Sequence, residues 1–278
     1  MAILTVVASN RNRLKLNDNA SKWFLKSIQW QTCKDFELLI ADGGSDNYEE
    51  LKEYFKQDSA IRMDIVQHKI GDAFLRAFLN NFGIRNAKTP YIMCTDVDMV
   101  LGKDFVKTLI ETLDENSFVE SKTMYWKQKI ADKIYSGELD PYNDLGSCKN
   151  GRTKNKTTAG GCQAAHIETW KKLNFYSEKY EGWGSEDFDL LARATIIGLN
   201  IKWLGESKES LMLFHQPHER NTERDLVFQA KNKLLLEKTL LDGGTSMYQV
   251  VMGLKPLKKI VNNLNINPDL PNSDDRRG

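Results

Sequence analysis

The chain has 278 residues, 41% of them apolar, and 39 Lys and Arg against 38 Asp and Glu give a net charge of +1. That is enough apolar material for one large or two small domains, and the near-neutral balance leaves no overall electrostatic footprint for nucleic acid or an acidic membrane. Cys33, Cys94, Cys148 and Cys162 stand far apart, in no CxxC pair, which argues against a zinc site or disulfide frame and for reduced thiols in a cytosolic protein.

The N-terminal run Ile3 to Ala8 lacks a basic leader and is too short for a signal peptide or membrane span, so it reads as a buried strand. A loop with two arginines, Ser9-Asn10-Arg11-Asn12-Arg13, leads to a helix from Asn17 to Trp30, where Ala20, Trp23, Phe24 and Ile28 recur at helical spacing. Phe36 to Ala41 is the next strand, closed by Asp42-Gly43-Gly44-Ser45, a turn whose glycines allow backbone to approach a ligand. Tyr48 to Phe55 reads as a helix, Met63 to Val66 as a short strand, and Ala73 to Arg85 as a helix with Phe74, Ala77, Phe78, Asn81 and Ile84 on one side. Tyr91 to Asp98 is then a buried strand ending in two carboxylates. Strand side chains alternate faces, so Asp96 and Asp98 are expected to point the same way. Strand and helix alternate three times in the first hundred residues, which predicts a mostly parallel sheet with helices on both faces.

Lys103 to Leu113 is a further helix, and Glu120 to Thr158 is polar, Lys-rich and broken by glycines and a proline, so it is expected to be a long irregular excursion. Its lysines suit an anionic acceptor or a plain solvated surface. Order returns at Ala159-Gly160-Gly161-Cys162, followed by a short helix from Glu168 to Leu173. The segment Gly182-Trp183-Gly184-Ser185-Glu186-Asp187 opens a helix with the apolar stripe Leu190, Leu191, Ala194 and Ile197, stopped by Gly198. Ile201 to Leu204 and Ser210 to Phe214 read as strands and Arg224 to Leu241 as a long amphipathic helix. No linker divides residues 1–242, and 243–278 reads as a partly flexible extension.

Four groups of residues carry possible chemistry. Asp96 and Asp98 at a strand end suit a hard divalent cation bearing a diphosphate. Trp183 offers an indole to stack on a sugar, and Glu186 and Asp187 offer two acids at a helix start; Ser185 as an N-cap, with acids complementing the helix dipole, is the structural alternative. His215 follows an apolar run, as the acidic pair does, and is the best-placed second metal ligand, with His218 next. Arg11, Arg13 and Arg76 carry forks that match phosphate oxygens.

In this order the chain resembles the GT-A fold glycosyltransferases, and within them the β-1,4-galactosyltransferases and the bacterial chondroitin polymerase type. Arg11-Asn12-Arg13 is similar to the arginine loop after the first strand. Phe74, Arg76, Ala77, Asn81 and Gly83 match the pattern FxRAxxxNxG, and Thr95-Asp96-Val97-Asp98 matches the metal motif. Gly160-Gly161 matches the double-glycine strand, Gly182 to Asp187 the WGWGGED segment with serine for its third glycine, and Met212 to His215 the MxxH ligand pair.

The resemblance implies an α/β GT-A fold with a mostly parallel nucleotide-binding sheet in residues 1–115 and an acceptor and catalytic half in 116–242. It implies an inverting transferase that uses Mn²⁺ (or Mg²⁺) and a nucleotide sugar, a UDP-sugar by preference. Asp98 and His215 would be metal ligands with Met212 as a third. Asp96 would hold the ribose or a metal-bound water. Arg11, Arg13 and Arg76 would contact the nucleotide, with Asp42 near the base. Gly161 belongs to the donor site, Trp183 and Glu186 would line the sugar pocket, and Asp187 would be the general base. The acceptor is a glycan or another hydroxyl-bearing molecule, a modified nucleic acid included, and the expected setting is cytoplasmic, without an integral membrane segment. A retaining transferase on the same fold and a catalytically inactive nucleotide-binding module are the rival readings. Asp187, where the retaining group has asparagine, disfavours the first, and the joint presence of Glu186, Asp187 and His215 disfavours the second.

Overall fold

The computed structural model describes residues 2–57, 59–71, 74–143, 160–182, 184–205, 213–218 and 222–251. In chain order the strands are β1 Leu4–Asn10, β2 Phe36–Asp42, β3 Arg62–Gln67, β4 Tyr91–Asp96, β5 Met99–Leu101, β6 Ser117–Ser121, β7 Thr123–Tyr125, β8 Gln163–His166, β9 Asn200–Leu204 and β10 Leu213–His215. The helices are α1 Asn19–Gln29, α2 Tyr48–Tyr54, α3 Arg76–Asn86, α4 Phe105–Thr112, α5 Gln128–Tyr135, α6 Ile167–Lys172, α7 Glu186–Ile196, α8 Thr222–Asp242 and α9 Met247–Val251.

The unbroken apolar runs become the central strands of a seven-stranded sheet in the order β3-β2-β1-β4-β8-β6-β9. β1 pairs in parallel with β2 and β4, and β2 in parallel with β3; β8 runs antiparallel to β4 and β6, and β9 parallel to β6. Every residue of β1 is buried, as a strand covered on both faces requires. Leu4, Val6 and Ala8 pack with Phe24 and Ile28 of α1, Leu51 of α2 and Phe105 of α4. Val7, one residue out of step, packs on the opposite face with Leu79 of α3, Trp170 of α6 and Leu190 of α7. Leu236 and Leu240 of α8 and Val250 of α9 join this second layer, so the packed body continues past residue 242.

Gly83 is the close-approach point of α3 on the sheet, since a Cβ there would lie 2.3 Å from Val7 Cγ1 and 3.2 Å from Ala41 Cβ. Gly83→Ala gains about 1 kcal/mol of helix propensity, but overpacking against a stiff β-branched neighbour costs about 1–3 kcal/mol. The expected result is net destabilisation, read as a lower urea midpoint at unchanged m-value.

The structure departs from the sequence reading in three places. The acidic strand stops at Asp96; Val97 and Asp98 form a turn into β5, so strand alternation does not govern the two carboxylates. The described part of Glu120 to Thr158 is not an irregular excursion. Glu120 lies in β6, β7 follows, and α5 buries Ile130, Ala131 and Ile134 beneath the lysines that masked its period. Residues 144–159 lie outside the described residues. Finally, β5, β10 and β7 form a second, three-stranded sheet that was not foreseen; β10 runs antiparallel to β5 and parallel to β7.

The chain builds outward from β1 through β2 to β3, then crosses back to add β4 on the other side of β1. That reversal opens a crevice at the carboxyl ends of β1 and β4, where open α/β sheets bind ligands.

Candidate active site

Asn10 ends β1 and Asp42 ends β2, and the two tie the crevice wall together. Asp42 is fully buried and accepts from Asn10 Nδ2 (2.9 Å), the Gly44 and Ser45 amides (2.9 and 2.8 Å), Gln67 Nε2 (3.0 Å) and the Ser45 hydroxyl. It holds the shape of this loop rather than presenting a free carboxylate. Arg11 donates to the Gly71 carbonyl, and half-exposed Arg13 brings its guanidinium to 3.9 Å from Asp98.

The two aspartates of β4 and its turn have separate partners. Asp96 accepts from Arg76 Nε at 2.7 Å and Nη2 at 3.3 Å, while Arg76 Nη1 binds Glu186 at 2.9 Å and Nη2 binds the Gly160 carbonyl at 2.8 Å. Arg76 is only 7% exposed, and four of its five N–H groups are used inside the protein; it was expected at the nucleotide, but here it fastens α3 to β4 and α7. Burial opposes its charge, yet the Asp96 and Glu186 carboxylates outweigh that and hold it firmly protonated.

Asp98 instead meets two histidines. β10 lies against β5 with His215 opposite Met99, and the Gln216 amide donates to the Asp98 carbonyl at 3.1 Å, which fixes the two segments together. His218 Nε2 lies 3.2 Å from one Asp98 oxygen and His215 Nε2 3.8 Å from the other. One ligand atom from each of the three lies within 4.8 Å of the others. Burial by itself would raise the Asp98 carboxyl, but the His218 hydrogen bond and the charges of His215, His218 and Arg13 hold it down at about 2. Its Oδ1 is buried with no hydrogen-bond partner among the described residues. An anionic oxygen in that position beside two imidazoles fits a divalent cation, and imidazole donors favour Mn²⁺ over Mg²⁺. His218, ranked second from sequence, belongs to the cluster; Met212 lies outside the described residues. Tyr125, which the sequence did not single out, sets its ring 4.8 Å from that of His215.

Asp187 sits in the first turn of α7, behind a backbone that only small residues can follow. Gly182, Gly184 and Ser185 all have positive φ, at 65°, 100° and 75°. Ser185 stands at the N-cap of α7, its carbonyl accepting from the Asp189 amide at 2.9 Å, but in this left-handed conformation its side chain makes no capping bond. Gly160, with φ 102°, would place a Cβ 2.2 Å from Asp187 Oδ2, and a Cβ on Gly161 would lie 2.2 Å from Thr123 Oγ1. The bare Cα of Gly160 is the floor on which the carboxylate rests. Burial, then the Glu186 charge, pushes the Asp187 carboxyl up to about 7 against the pull of Arg76. Glu186 gives one oxygen to Arg76 and keeps Oε2 buried with no partner among the described residues. Trp183 lies outside the described residues. Beneath Asp187, Gln163 links Glu120, Tyr176 and the Asp187 carbonyl, a layer with no sequence signal beyond residue type.

Residues 22–163, half of the chain, match the profile of glycosyl transferase family 2. The chain belongs to glycosyltransferase family 2. A second profile, the N-terminal domain of galactosyltransferase, covers residues 147–217 of this glycosyltransferase. Among curated proteins it is 37% identical over 127 residues to an uncharacterized glycosyltransferase of Rickettsia felis, covering 43% of this chain and 20% of that protein. It is 24% identical over 230 residues to chondroitin synthase of Escherichia coli, covering 70% of this chain and 32% of the synthase. The chain thus spans a fifth to a third of these two relatives. Among solved structures, a Pyrobaculum calidifontis mannosyltransferase in complex with GDP-Man and Mn²⁺ superposes with a TM-score of 0.62 at 14% identity, over 90% of this chain and 68% of that one. GalNAc-T7 with UDP, GalNAc and Mn²⁺ gives 0.61 at 13% identity, over 85% of this chain and 48% of that one. The shared fold is GT-A, as the sequence reading expects. No helix among the described residues of this glycosyltransferase is long and apolar enough to cross a membrane.

Proposed function

We propose that this chain is a metal-dependent inverting glycosyltransferase that moves a sugar from a UDP-sugar to an acceptor hydroxyl. The observation that carries the reading is Asp187, a single carboxylate held at about 7 and tied through Arg76, Glu186 and Asp96 to the same crevice that holds Asp98. Inversion in one displacement needs one proton acceptor, and a carboxylate with a pKa near the working pH takes the acceptor proton efficiently. The acceptor hydroxyl would give its proton to Asp187 as its oxygen attacks the anomeric carbon.

Asp98, His215 and His218 would hold the cation, with Met212 retained as a further candidate ligand. Once bound, the cation supplies neutralisation of the departing diphosphate. Arg13, beside Asp98, and Arg11 would take phosphate oxygens. Asp42 acts on the base site through the loop it shapes, and Asp96 and Arg76 act as the frame of the donor site. Glu186 Oε2, without a partner among the described residues, suits a donor sugar hydroxyl, Trp183 would stack on the sugar, and Gly161 would belong to the donor site. Relatives' complexes with GDP-Man and with UDP support a nucleotide-sugar donor, and the free thiols of Cys33, Cys94 and Cys162 support a cytosolic setting.

A thermal-shift panel of nucleotide sugars with and without Mn²⁺ tests the donor. A UDP-sugar at about 100 times its Kd adds roughly 2.7 kcal/mol of apparent stability, and the gain should require the metal. No shift with any nucleotide sugar plus Mn²⁺ would overturn the donor assignment. Inversion is read separately, from the anomeric configuration of the product by NMR.

A further inference from the structure

Glu120 is a fully buried acid that the proposed chemistry does not use. On β6 it stands opposite Gln163 of β8. Gln163 Nε2 donates to Glu120 Oε1 at 2.6 Å and to the Asp187 backbone carbonyl at 3.0 Å, and Gln163 Oε1 accepts from the Tyr176 hydroxyl at 2.8 Å. One amide therefore spans from the centre of the sheet to the first turn of α7, and its orientation is set at both ends.

Glu120 is buried without a counter-charge of its own among the described residues: it has no ion-pair partner there, and its Oε2 has no hydrogen-bond partner. Arg76, the arginine on this side, is spent on Asp96, Glu186 and the Gly160 carbonyl. The groups that face Glu120 are Gln163 and Cys162 around β8, Tyr176, Asp187 of α7, the Gly160 amide and Arg76 of α3. Burial raises its carboxyl well above the ordinary range. Asp187 adds to that, and the Gln163 hydrogen bond, the Gly160 amide and Arg76 do not offset it. An ionised Glu120 would also repel the charge that Asp187 must carry as a base.

We propose that Glu120 is a positioning residue for Asp187, a neutral acid that fixes Gln163 and, through it, the backbone at the head of α7. The proposal rests on the reading of Asp187 as the general base. A base displaced by a fraction of an ångström loses its reach to the acceptor hydroxyl, while the Asp98 cluster, which would hold the donor's diphosphate, keeps its own supports in Gln216 and β10.

Glu120→Met keeps the volume and removes the acceptor for Gln163; kcat should fall at least about tenfold with the donor KM within about twofold of the parent. Glu120→Gln restores a neutral carbonyl acceptor, so it should recover most of that turnover and leave the acid limb of the pH profile in place. Wild-type kcat in folded E120M would overturn the proposal. So would an acid limb displaced to lower pH by half a unit or more in E120Q, the result expected from removing a negative charge. Should E120M yield no folded protein, Gln163→Met breaks the same link from its other end and carries the same expectations. An active Asp187→Asn enzyme would sink the base assignment whatever Glu120 does, whereas an inactive one beside a fully active E120M would sink only the role of Glu120.

Discussion

Asp187→Asn is expected to lower kcat by at least about a thousandfold, the upper range for removal of a general base, while raising the melting temperature. The substitution keeps the oxygen that accepts the Phe188 amide at 2.8 Å and the fit against Gly160. What it removes is a charge that the fold disfavours. The folded carboxyl sits at about 7 against 3.8 for an unperturbed aspartate, so its ionised form costs stability above pH 7. The cost shrinks as pH falls through 7 and is gone below the unfolded value. The gain of the mutant over the parent, about a few degrees, should therefore be largest in alkaline buffer and vanish near pH 4, as differential scanning calorimetry across pH would show. The parent's kcat/KM should rise with pH along one acid limb with an apparent pKa near 7. Turnover near the parental rate in the mutant, or a flat profile from about pH 5.5 to 8.5, would remove Asp187 as the base.

If Asp98 holds the cation as proposed, Asp98→Ala should abolish the metal requirement and weaken UDP binding together, by about a hundredfold or more, since a cation held there would neutralise the diphosphate. Titration calorimetry of UDP with and without Mn²⁺ separates the two effects, and unchanged binding under both conditions would count decisively against the site. In the metal-free protein the same carboxylate stabilises the fold. Its folded value of about 2 lies below the ordinary 3.8, so the contribution is complete above the ordinary value and is lost as pH falls through 2. Asp98→Ala and Asp187→Asn thus have opposite signs on stability at neutral pH. A general loss of structure could not mimic that pattern.

The sheet was legible wherever burial on both faces writes a strand as an unbroken apolar run, as in β1, β2 and β4. Where lysines cover one side of a short helix, as around Ile130 and Ile134, the buried stripe is too narrow to show, and Glu120 was lost with it. The residues that the fold brings together were legible by type: a carboxylate and imidazoles that suit a cation, and an acid at a helix start that suits a base. Their partners were not, because a guanidinium's hydrogen bonds are decided by tertiary packing. Nothing in the local sequence of Arg76 says that Asp96, 20 residues on, and Glu186, 110 residues on, share it. Ser185 shows the same limit: its residue type points to the N-cap, where it does stand, but not to the left-handed backbone that leaves its hydroxyl without a capping bond.

The divergence of the two neighbouring aspartates has a mechanical result. Asp96 is clamped by an arginine that also grips the helix bearing Asp187, whereas Asp98, two positions on, belongs to a cluster at the edge of the three-stranded sheet with its own supports in Gln216 and β10. A cation taken up or lost at Asp98 would thus perturb one module and leave the other seated. Under the proposed roles, cation exchange between turnovers would not require the geometry around Asp187 to be rebuilt.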